Sequence, residues 1–265
     1  MPLRSALICH VGDSLNQDGI ARWLASFSEL ALQIEIEEPR SRMVRRVRRE
    51  IQRSGVVGFL DVLAFRLWYR VRYARGDEAW RARLARELAA RYPDRGTPRL
   101  LRVRSPNAPA VIQALAEERI DFAVARCKSI LKPEVFTAVP RGMFVLHPGI
   151  CPQYRNAHGG FWALAERDRE RVGTTLLRID AGVDTGPVYG YFQAPFDEVG
   201  ESHAVIQDRT CYANLDAIAD TLREVLEGRR AALDTAGKVS RAWGQPRLSR
   251  YLGWKRAARR DARAR

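Results

Sequence analysis

The first part of the chain alternates between short apolar runs and helical patterns. Residues 6–9 form an apolar run that predicts a buried strand. Residues 32–36 alternate with the period of two that a second strand requires, until Pro39 interrupts the pattern. Between them, residues 19–30 predict a helix whose apolar stripe consists of Ile20, Trp23, Leu24 and Phe27. This order of strand, helix and strand is typical of α/β proteins.

A helical, arginine-rich pattern follows over about residues 42–92. Breaks at Ser54-Gly55 and near Gly76-Asp77 predict two or three helices inserted on one flank of the sheet. We expect the large apolar positions of this insert to pack into the core rather than to line a ligand site. These positions are Phe59, Leu60, Leu63, Leu67 and Trp68.

The rest of the chain continues the alternation of strands and helices. The predicted strands lie at residues 101–103, 122–125 and 142–146, the predicted helices at residues 108–118, 159–167 and 203–227, and a hairpin pairs residues 174–180 with residues 188–195. We therefore expect an α/β fold with a doubly wound, mostly parallel sheet flanked by helices.

The predicted domain covers residues 1–230 and includes the arginine-rich helical insert. A basic C-terminal extension covers residues 231–265. Its last part, residues 255–265, is expected to be a frayed or disordered basic arm.

The charge balance adds candidate partners. A formal net charge of +14 favours a nucleic acid or an anionic membrane surface. Lysine is scarce while arginine and alanine abound, and a GC-rich coding bias or general solvation explains that pattern better than a dedicated site for polyanions. A nucleic-acid partner therefore stays open but is not favoured.

Composition disfavours several other classes. The cysteines at positions 9, 127, 151 and 211 form no Cys-x-x-Cys motif, so neither a metal site nor a disulfide framework is predicted. No apolar run approaches the roughly 20 residues that cross a bilayer, and the first residues do not resemble a secretory signal. We expect a cytoplasmic protein without a transmembrane segment.

Two polar segments carry the candidate chemistry. Residues 147–156 read His-Pro-Gly-Ile-Cys-Pro-Gln-Tyr-Arg-Asn and begin where a predicted strand ends, and residues 180–187 read Asp-Ala-Gly-Val-Asp-Thr-Gly-Pro. Ligands of open parallel sheets bind at the carboxyl ends of the strands. A histidine there can carry a proton and an aspartate in a glycine-rich turn can orient it, as acyl-transfer chemistry requires.

These segments resemble those of the folate-dependent formyltransferases, which include methionyl-tRNA, glycinamide ribonucleotide and sugar N-formyltransferases. Members typically carry Asn-x-His-Pro-Ser-Leu-Leu-Pro-x-Tyr-Arg-Gly and later Gly-x-Thr and Asp-x-Gly-x-Asp-Thr-Gly-Pro. The matching residues here are His147, Pro148, Pro152, Tyr154, Arg155, Trp162, Gly173, Thr175, Asp180, Gly182, Asp184, Thr185, Gly186 and Pro187. Weaker similarity extends the resemblance over about residues 3–230.

The resemblance implies transfer of a formyl group from 10-formyltetrahydrofolate to a primary amine. In the family, a histidine in the position of His147 shuttles protons and an aspartate in the position of Asp184 orients it. A pterin pocket formed by residues 126–131 and the turn at residues 180–184 is also implied. Donor binding would then involve Lys128, Ile130, Leu131 and Asp180.

The number of residues after the predicted domain favours a small-molecule acceptor. Methionyl-tRNA formyltransferases carry a second, barrel-like domain, and the 265-residue chain continues for too few residues after Glu227 to build one. We therefore expect a small amine such as an amino sugar, while the arginine-rich insert keeps RNA or an anionic carrier open.

One position departs from the family pattern. Val145 stands where the family has asparagine, and it cannot donate a hydrogen bond to an oxyanion, a loss that typically costs about 10²–10³ in rate. Three explanations stay open: another hydrogen-bond donor substitutes for the asparagine, the acyl donor or the reaction differs, or the chain is a noncatalytic relative that binds a ligand. The candidate oxyanion or substrate contacts are Arg155, Asn156 and His158, although Asn156 and His158 also suit simple loop capping.

A second motif, Gly12-Asp13-Ser14-Leu15, matches the nucleophile block of the GDSL esterases. A serine there attacks an ester only if a histidine and an aspartate converge on it. The later blocks of that family are missing, so an esterase is a minor alternative. A simpler explanation is a strand-to-helix connection capped by Asp13, Ser14 or Asp18.

Overall fold

The fold is organised around one seven-stranded sheet. The computed structural model describes residues 2–38 and 41–264, apart from the side chains of residues 41–46 and 49. The strands of this sheet are β1 (Arg4–His10), β2 (Glu29–Ile36), β3 (Arg99–Val103), β4 (Phe122–Arg126), β5 (Met143–His147), β6 (Thr174–Arg178) and β7 (Val188–Phe192). The order is β3-β2-β1-β4-β5-β6-β7, with β1 to β5 parallel and β6 and β7 antiparallel to their neighbours. The predicted doubly wound, mostly parallel α/β fold is confirmed.

Helices cover both faces of this sheet. They are α1 (Ala21–Ala25), α2 (Ser41–Arg72), α3 (Ala74–Arg91), α4 (Pro109–Glu117), α5 (Pro133–Phe136), α6 (Gly159–Ala165), α7 (His203–Tyr212), α8 (Leu215–Leu226) and α9 (Leu248–Arg263). Among the described residues, no helix is both long and apolar enough to cross a membrane.

The sheet separates two apolar clusters because successive side chains of a strand point to opposite faces. In β1, Leu7 and Cys9 join the cluster under α1 and α8, whereas Ala6 and Ile8 join the cluster under α4. All four side chains are fully buried. A strand that is apolar on both faces is typical of the centre of a parallel sheet, which explains the unbroken run that predicts β1.

Two predicted helices differ from the structure. The helix predicted over residues 19–30 is a π-helical turn (Leu15–Ile20) followed by the short α1, because the chain must already pair with β1 at Glu29. The helix predicted over residues 203–227 is divided into α7 and α8. At the division, the side chain of Asn214 donates to the main-chain oxygens of Thr210 and Gln193, both at 2.9 Å.

The insert forms two helices, with one break where the sequence predicts it. α2 is kinked at Gly55, which has a φ of +70° that favours glycine, whereas the second break lies at Tyr73 rather than at Gly76-Asp77. Pro39, predicted to end the second strand, lies outside the described residues. The side chains of four arginines of the insert also lie outside them: Arg42, Arg45, Arg46 and Arg49.

The expectation that the apolar positions of the insert are core residues is wrong for three leucines. Leu60, Leu63 and Leu67 are 55%, 41% and 59% exposed. The face of α2 that meets the protein instead carries Val62 and Phe65, which are 1% and 5% exposed. This helix has apolar residues on both faces, so the pattern does not indicate which face is buried.

The expectation of a frayed C-terminal arm is also wrong. α9 packs onto α2 and α6, where Tyr251 and Trp254 are almost fully buried in an aromatic cluster. The Nζ atom of Lys255 donates to the main-chain oxygens of Glu198, at 2.7 Å, and of Glu201. Burial lowers the pKa of Lys255 to about 8. The aromatic residues and Ala258 share one helix face, and this apolar stripe outweighs the local basic charge.

His203 provides a test of this aromatic cluster. Its ring lies within 5.4–5.8 Å of the rings of Phe65, Tyr69, Phe161 and Tyr251. Burial, and after it nearby positive charges, lowers the pKa of His203 from 6.5 to about 3. The unfolded chain therefore binds a proton near pH 6.5 that the folded chain refuses, so stability falls as the pH drops below that value.

We predict that His203→Phe flattens the acid limb of the stability curve. Because the unfolded chain protonates His203 and the folded chain does not, this one residue lowers the free energy of unfolding by about 2 kcal/mol at pH 5. Phenylalanine has no titrating group and removes this pH-dependent loss. Urea unfolding at pH 7.5 and pH 5 measures the difference between variant and parent protein. A difference that does not change between the two pH values would contradict a neutral, buried His203.

Candidate active site

The carboxyl end of β5 holds His147 in a nearly closed environment. Its side chain is 3% exposed, and Nδ1 lies 3.5 Å from Oδ1 of Asp184. Nε2 lies 2.9 Å from the main-chain oxygen of Tyr154. The two side chains that the sequence predicts as catalytic are therefore in contact.

The partner of Nε2 determines the tautomer of His147. A carbonyl oxygen only accepts hydrogen bonds, so Nε2 carries the hydrogen and donates it to Tyr154. Nδ1 is then the nitrogen that gains or loses a proton, and it faces the carboxylate of Asp184. This is the arrangement of a proton carrier and the group that orients it and stabilises its charged form.

Two glycines make room for the Tyr154 carbonyl group. A Cβ on Gly149 would lie 2.5 Å from this oxygen and 2.9 Å from the Cα of Gly159, and a Cβ on Gly159 would overlap the same oxygen. The hydroxyl of Thr175 donates to the oxygen of Gly149 at 2.5 Å and accepts from the N–H of Cys151 at 3.0 Å. Any side chain at either glycine would push the loop away from His147.

The loop between β6 and β7 folds back along β5 and delivers Asp184. β6 ends beside Phe144, yet Asp184 reaches His147 at the other end of β5. The turn is held by Asp180, whose Oδ1 accepts from the N–H of Gly182 at 3.0 Å and from the hydroxyl of Thr185 at 2.8 Å. The carboxylate of Asp180 therefore shapes the turn that carries Asp184.

Asn156 connects this loop to the loop after β5. Its N–H donates to Oδ2 of Asp184 at 2.8 Å, and its side-chain amide donates to the main-chain oxygen of Trp243 at 2.7 Å. Its φ is +77°, and that of Asp184 is +53°. Asparagine and aspartate adopt this left-handed conformation more readily than other residues with a side chain, which explains Asn156 where the family pattern has glycine.

Arg155 retains one unused donor beside these residues. Its Nη1 donates to the main-chain oxygen of Val183 at 2.9 Å. Its Nε is buried and has no hydrogen-bond partner within the part of the chain that the structure describes. An unpaired buried donor is unfavourable, so this N–H calls for an acceptor that the described residues do not supply.

Residues 241–245, here called the C-terminal strap, run beside the loop after β5. The N–H of Arg241 donates to the oxygen of Pro152 and the N–H of Arg155 to the oxygen of Arg241, both at 3.1 Å, and the N–H of Trp243 donates to the oxygen of Arg155 at 3.2 Å. The strap thus pairs with the loop that presents the Tyr154 carbonyl group to His147.

The indole of Trp243 reinforces this pairing. It stacks on Tyr154 and Trp162, with ring centroids 5.6 Å and 4.8 Å away. Its Nε1 donates to the oxygen of Gln153 at 2.9 Å, and Nε1 of Trp162 donates to the oxygen of Gly244 at 2.9 Å. The strap therefore couples the loop after β5 to α6.

His158 lies immediately before α6, at an edge of the site that carries positive charge. Burial, and then the charges of Lys128 and Arg66, lower the pKa of His158 to about 4, while a hydrogen bond with Gln245 acts in the other direction. Arg66 in turn donates to the side-chain oxygen of Gln245 at 3.3 Å. His158 is therefore neutral near pH 7, and both the insert and the strap reach this edge.

The predicted donor-binding loop, residues 126–131, follows β4. Asn107 braces it by donating to the oxygen of Ile130 at 2.9 Å and accepting from the N–H of Lys132 at 2.8 Å. The side chain of Ile130 is 68% exposed, whereas that of Leu131 is 6% exposed. Lys128 is exposed as well. Ile130 and Lys128 are thus accessible to a ligand, and Leu131 supports the loop from beneath.

Val145 lies on the same face of β5 as His147 because it precedes it by two residues. It is half-buried, is paired with Leu177 of β6, and contacts the small cluster of Cys151, Leu177 and Val188. Its side chain has no hydrogen-bonding atom, so a donor near His147 must come from another residue.

The strand-to-helix connection after β1 is capped as the sequence predicts. The carboxylate of Asp13 accepts from the N–H of Asn16 at 3.3 Å and from its side-chain amide at 2.7 Å. The side chain of Ser14 makes no capping hydrogen bond. Of the three predicted capping residues, Asp13 is the one that binds the start of the helical turn.

A model of the formyl transferase family matches residues 78–222 of this chain, more than half of its length. The matched range includes both polar segments and the pair formed by His147 and Asp184. The chain belongs to the formyl transferase family. The predicted resemblance is confirmed, and membership in a family of transferases supports the prediction of a transferase over the esterase alternative.

Curated relatives resemble this chain over part of their length. The methionyl-tRNA formyltransferase of Thermus thermophilus is 35% identical over 107 residues, which cover 40% of this chain and 35% of that protein. That of Anaeromyxobacter dehalogenans is 30% identical over 171 residues, which cover 63% of this chain and 53% of that protein. The chain thus spans about a third to a half of the length of these relatives.

Solved structures agree with the fold. A phosphoribosylglycinamide formyltransferase from Anaplasma phagocytophilum has a TM-score of 0.56 at 14% identity, covering 93% of this chain and all of that one. A sugar N-formyltransferase from Shewanella has a TM-score of 0.55 at 13% identity, covering 95% of this chain and 87% of that one. At these identities the likeness concerns the architecture alone.

Sequence reasoning missed the residues that brace the site from outside the two motifs. These are Asn107 and the strap with Trp243. Arg126 belongs to the predicted donor-binding loop, but its guanidinium donates to the side-chain oxygen of Asn16 at 2.9 Å and to the main-chain oxygen of Leu146. The tryptophan was the one available signal, because a tryptophan in an otherwise polar segment is usually buried against something. The strap also lies beyond the residues that match the family model.

We predict that Trp243→Ala weakens both the fold and the loop after β5. Truncation of a buried tryptophan costs about 3–5 kcal/mol, and here it also removes the stacking that holds Tyr154. Urea unfolding measures the stability, and limited proteolysis with mass spectrometry locates new cleavage within residues 150–158. Trp80→Ala is the matched control, because half-buried Trp80 in α3 contacts Arg209 and not this loop. Equal cleavage in both variants would contradict the bracing role.

Proposed function

We propose that this protein transfers a formyl group from 10-formyltetrahydrofolate to a primary amine of a small molecule. The observation that carries the proposal is the contact between His147 Nδ1 and Asp184 Oδ1, with the opposite nitrogen held by Tyr154, in a member of the formyl transferase family. A protonatable nitrogen oriented by a carboxylate is the group that an amine needs in order to attack a carbonyl carbon.

The chain's own residues account for the movement of the proton. His147 Nδ1 accepts a proton from the attacking amine, Asp184 Oδ1 stabilises the resulting imidazolium, and Nδ1 then gives the proton up to the nitrogen that leaves the formyl carbon. Nε2 keeps its hydrogen on Tyr154 throughout, so the ring does not turn between the two steps.

The loops at this edge suit a folded pterin donor, which when bound supplies an activated formyl group. Two exposed aliphatic side chains stand on the two loops concerned, Ile130 at 68% and Val183 at 38% exposed. Leu131 anchors the first loop, and Asp180 holds the turn of the second. The exposed ammonium of Lys128 suits a carboxylate of the donor.

The charges near His158 favour an acceptor that carries an anionic group. Lys128 and Arg66 are the two cations whose field lowers the pKa of this histidine, and Arg66 comes from the insert. An amino sugar linked to a nucleotide has both the amine and the phosphates that such an edge would attract. The sugar N-formyltransferase of similar fold supports this choice.

Transfer to aminoacyl-tRNA is the second candidate. The curated relatives are methionyl-tRNA formyltransferases, and the chain has a formal net charge of +14. Assays with a panel of nucleotide-linked amino sugars and with methionyl-tRNA, each followed by release of tetrahydrofolate, distinguish the two. Formylation of the tRNA alone would replace the small-molecule proposal.

The catalytic pair is tested by His147→Ala and Asp184→Asn. Loss of the proton carrier is expected to lower kcat by about 10²–10⁴, and loss of the carboxylate to lower it with little change in the KM for the amine. Asp220→Asn is the matched control for Asp184, because Asp220 lies exposed in α8 and pairs with Arg223. If His147→Ala and Asp184→Asn both bound 10-formyltetrahydrofolate and turned over at the rate of the parent protein, the proposed chemistry would be refuted.

We propose Arg155 as the donor to the oxyanion in place of the missing asparagine. Its Nε–H is buried without a partner in the described structure, whereas the amide of Asn156 already binds Trp243. We predict that Arg155→Met lowers kcat by about 10²-fold, and that Val145→Asn partly restores it in that background. Steady-state rates of the two single variants and the double variant measure the effect. The role would be excluded if Val145→Asn gave no increase in kcat in the Arg155→Met background, so that the effects of the two substitutions were simply additive in free energy.

A further inference from the structure

Helix α2 presents a continuous apolar stripe to solvent. After the kink at Gly55, six large aliphatic side chains are exposed by 65%, 82%, 55%, 41%, 59% and 88%. They are Val56, Val57, Leu60, Leu63, Leu67 and Val71. Isolated exposed aliphatic residues are ordinary, but a contiguous row of them marks a surface that binds something.

The helical period aligns these residues. Val56, Leu60, Leu63, Leu67 and Val71 follow one another at intervals of three or four, so they lie one above the other on the same face. From the first to the last, the stripe is about 22 Å long at 1.5 Å per residue.

The opposite face of the same helix is firmly packed. Phe65 is 5% exposed and lies 5.4 Å from the ring of Tyr251 in α9, and Trp68 lies 4.9 Å from the same ring. The stripe therefore belongs to a fixed helix, and rotating α2 to bury the stripe would expose an aromatic cluster instead.

Positive charge borders the stripe. Arg66 and Arg70 are exposed three residues after Leu63 and Leu67, so they stand along one edge. The one acidic residue between positions 56 and 72 is Asp61, and its carboxylate is turned toward Ser249, where Oδ1 accepts from the N–H at 3.0 Å. The exposed face thus combines aliphatic side chains with arginines and has no carboxylate of its own.

The combination of aliphatic side chains and arginines indicates which kind of partner binds the stripe. Two copies of the stripe packed as an antiparallel pair would bring their arginine edges together, and in either packing direction no carboxylate on this face would neutralise the arginines. The headgroup layer of an anionic bilayer offers both negative charge for the arginines and hydrocarbon for the leucines. We infer that the outer face of α2 docks the protein onto an anionic membrane surface, with the helix lying in the plane of the interface.

Docking of this kind does not depend on the formyl transfer proposed above. Arg66 connects the two regions, since it borders the stripe and also binds Gln245 next to His158. A protein seated on its α2 stripe would therefore have that edge of its site close to the headgroup layer.

The experiment is flotation of the full chain with vesicles of phosphatidylglycerol and phosphatidylcholine and with vesicles of phosphatidylcholine alone. We expect binding to the anionic vesicles that weakens with salt, and weak binding to the neutral ones. The double variant Leu60→Gln/Leu67→Gln should lower the affinity roughly tenfold or more, because it removes two of the apolar groups that would enter the interface. Adding Arg70→Gln to this double variant should lower the affinity for anionic vesicles further.

The double variant Leu100→Gln/Val239→Gln is the matched control, because both residues are exposed aliphatic side chains elsewhere, at 51% and 74%. It should bind vesicles like the parent protein. Circular dichroism and urea unfolding confirm that each variant is folded.

Analytical ultracentrifugation provides the opposing outcome. A parent protein that forms dimers, with Leu60→Gln/Leu67→Gln monomeric, would show that a second copy covers the stripe and would overturn the proposal. Absence of vesicle binding by a folded monomer, or equal binding by the stripe variant and the control, would overturn it as well.

Discussion

The hydrogen bond from His147 Nε2 to the carbonyl oxygen of Tyr154 is the constraint on which the site depends. It assigns the hydrogen to one nitrogen and leaves the other to face Asp184, so a single main-chain oxygen determines which atom can move a proton. That oxygen must stay within hydrogen-bonding distance of the ring. Gly149 and Gly159 allow the approach by having no side chain, and Thr175 ties the loop to the sheet.

The elements that hold this oxygen come from distant parts of the chain. The strap bonds to both sides of Tyr154 along the main chain, and Trp243 stacks on its ring. Asn156, in turn, joins the strap to Asp184. His147 and Asp184 are thus coupled through the same short segment, and a disturbance of the strap would reach both of them.

The aromatic cluster of α2, α6 and α9 relates the periphery to the site. Phe161 of α6 packs against Phe65 of α2 and Tyr251 of α9, and α6 begins immediately after His158. The insert and the C-terminal helix are therefore part of the same packed body as the loop after β5. Their arginines are placed by that packing, which puts Arg66 beside Gln245 and leaves Arg70 on the outer face.

The sequence by itself determined the parallel sheet, the hairpin of β6 and β7, and the two motifs that meet at His147 and Asp184. Each depends on local information, because apolar runs mark central strands and turn residues mark the loops at their ends. Only the tertiary structure decided which face of α2 is buried, since that helix is apolar on both sides and periodicity shows only which residues share a face. The positions of the strap and of the buried α9 were also decided only by the tertiary structure, because their partners are distant in sequence. A basic segment with a few aromatic residues has no local feature that indicates which residues it packs against.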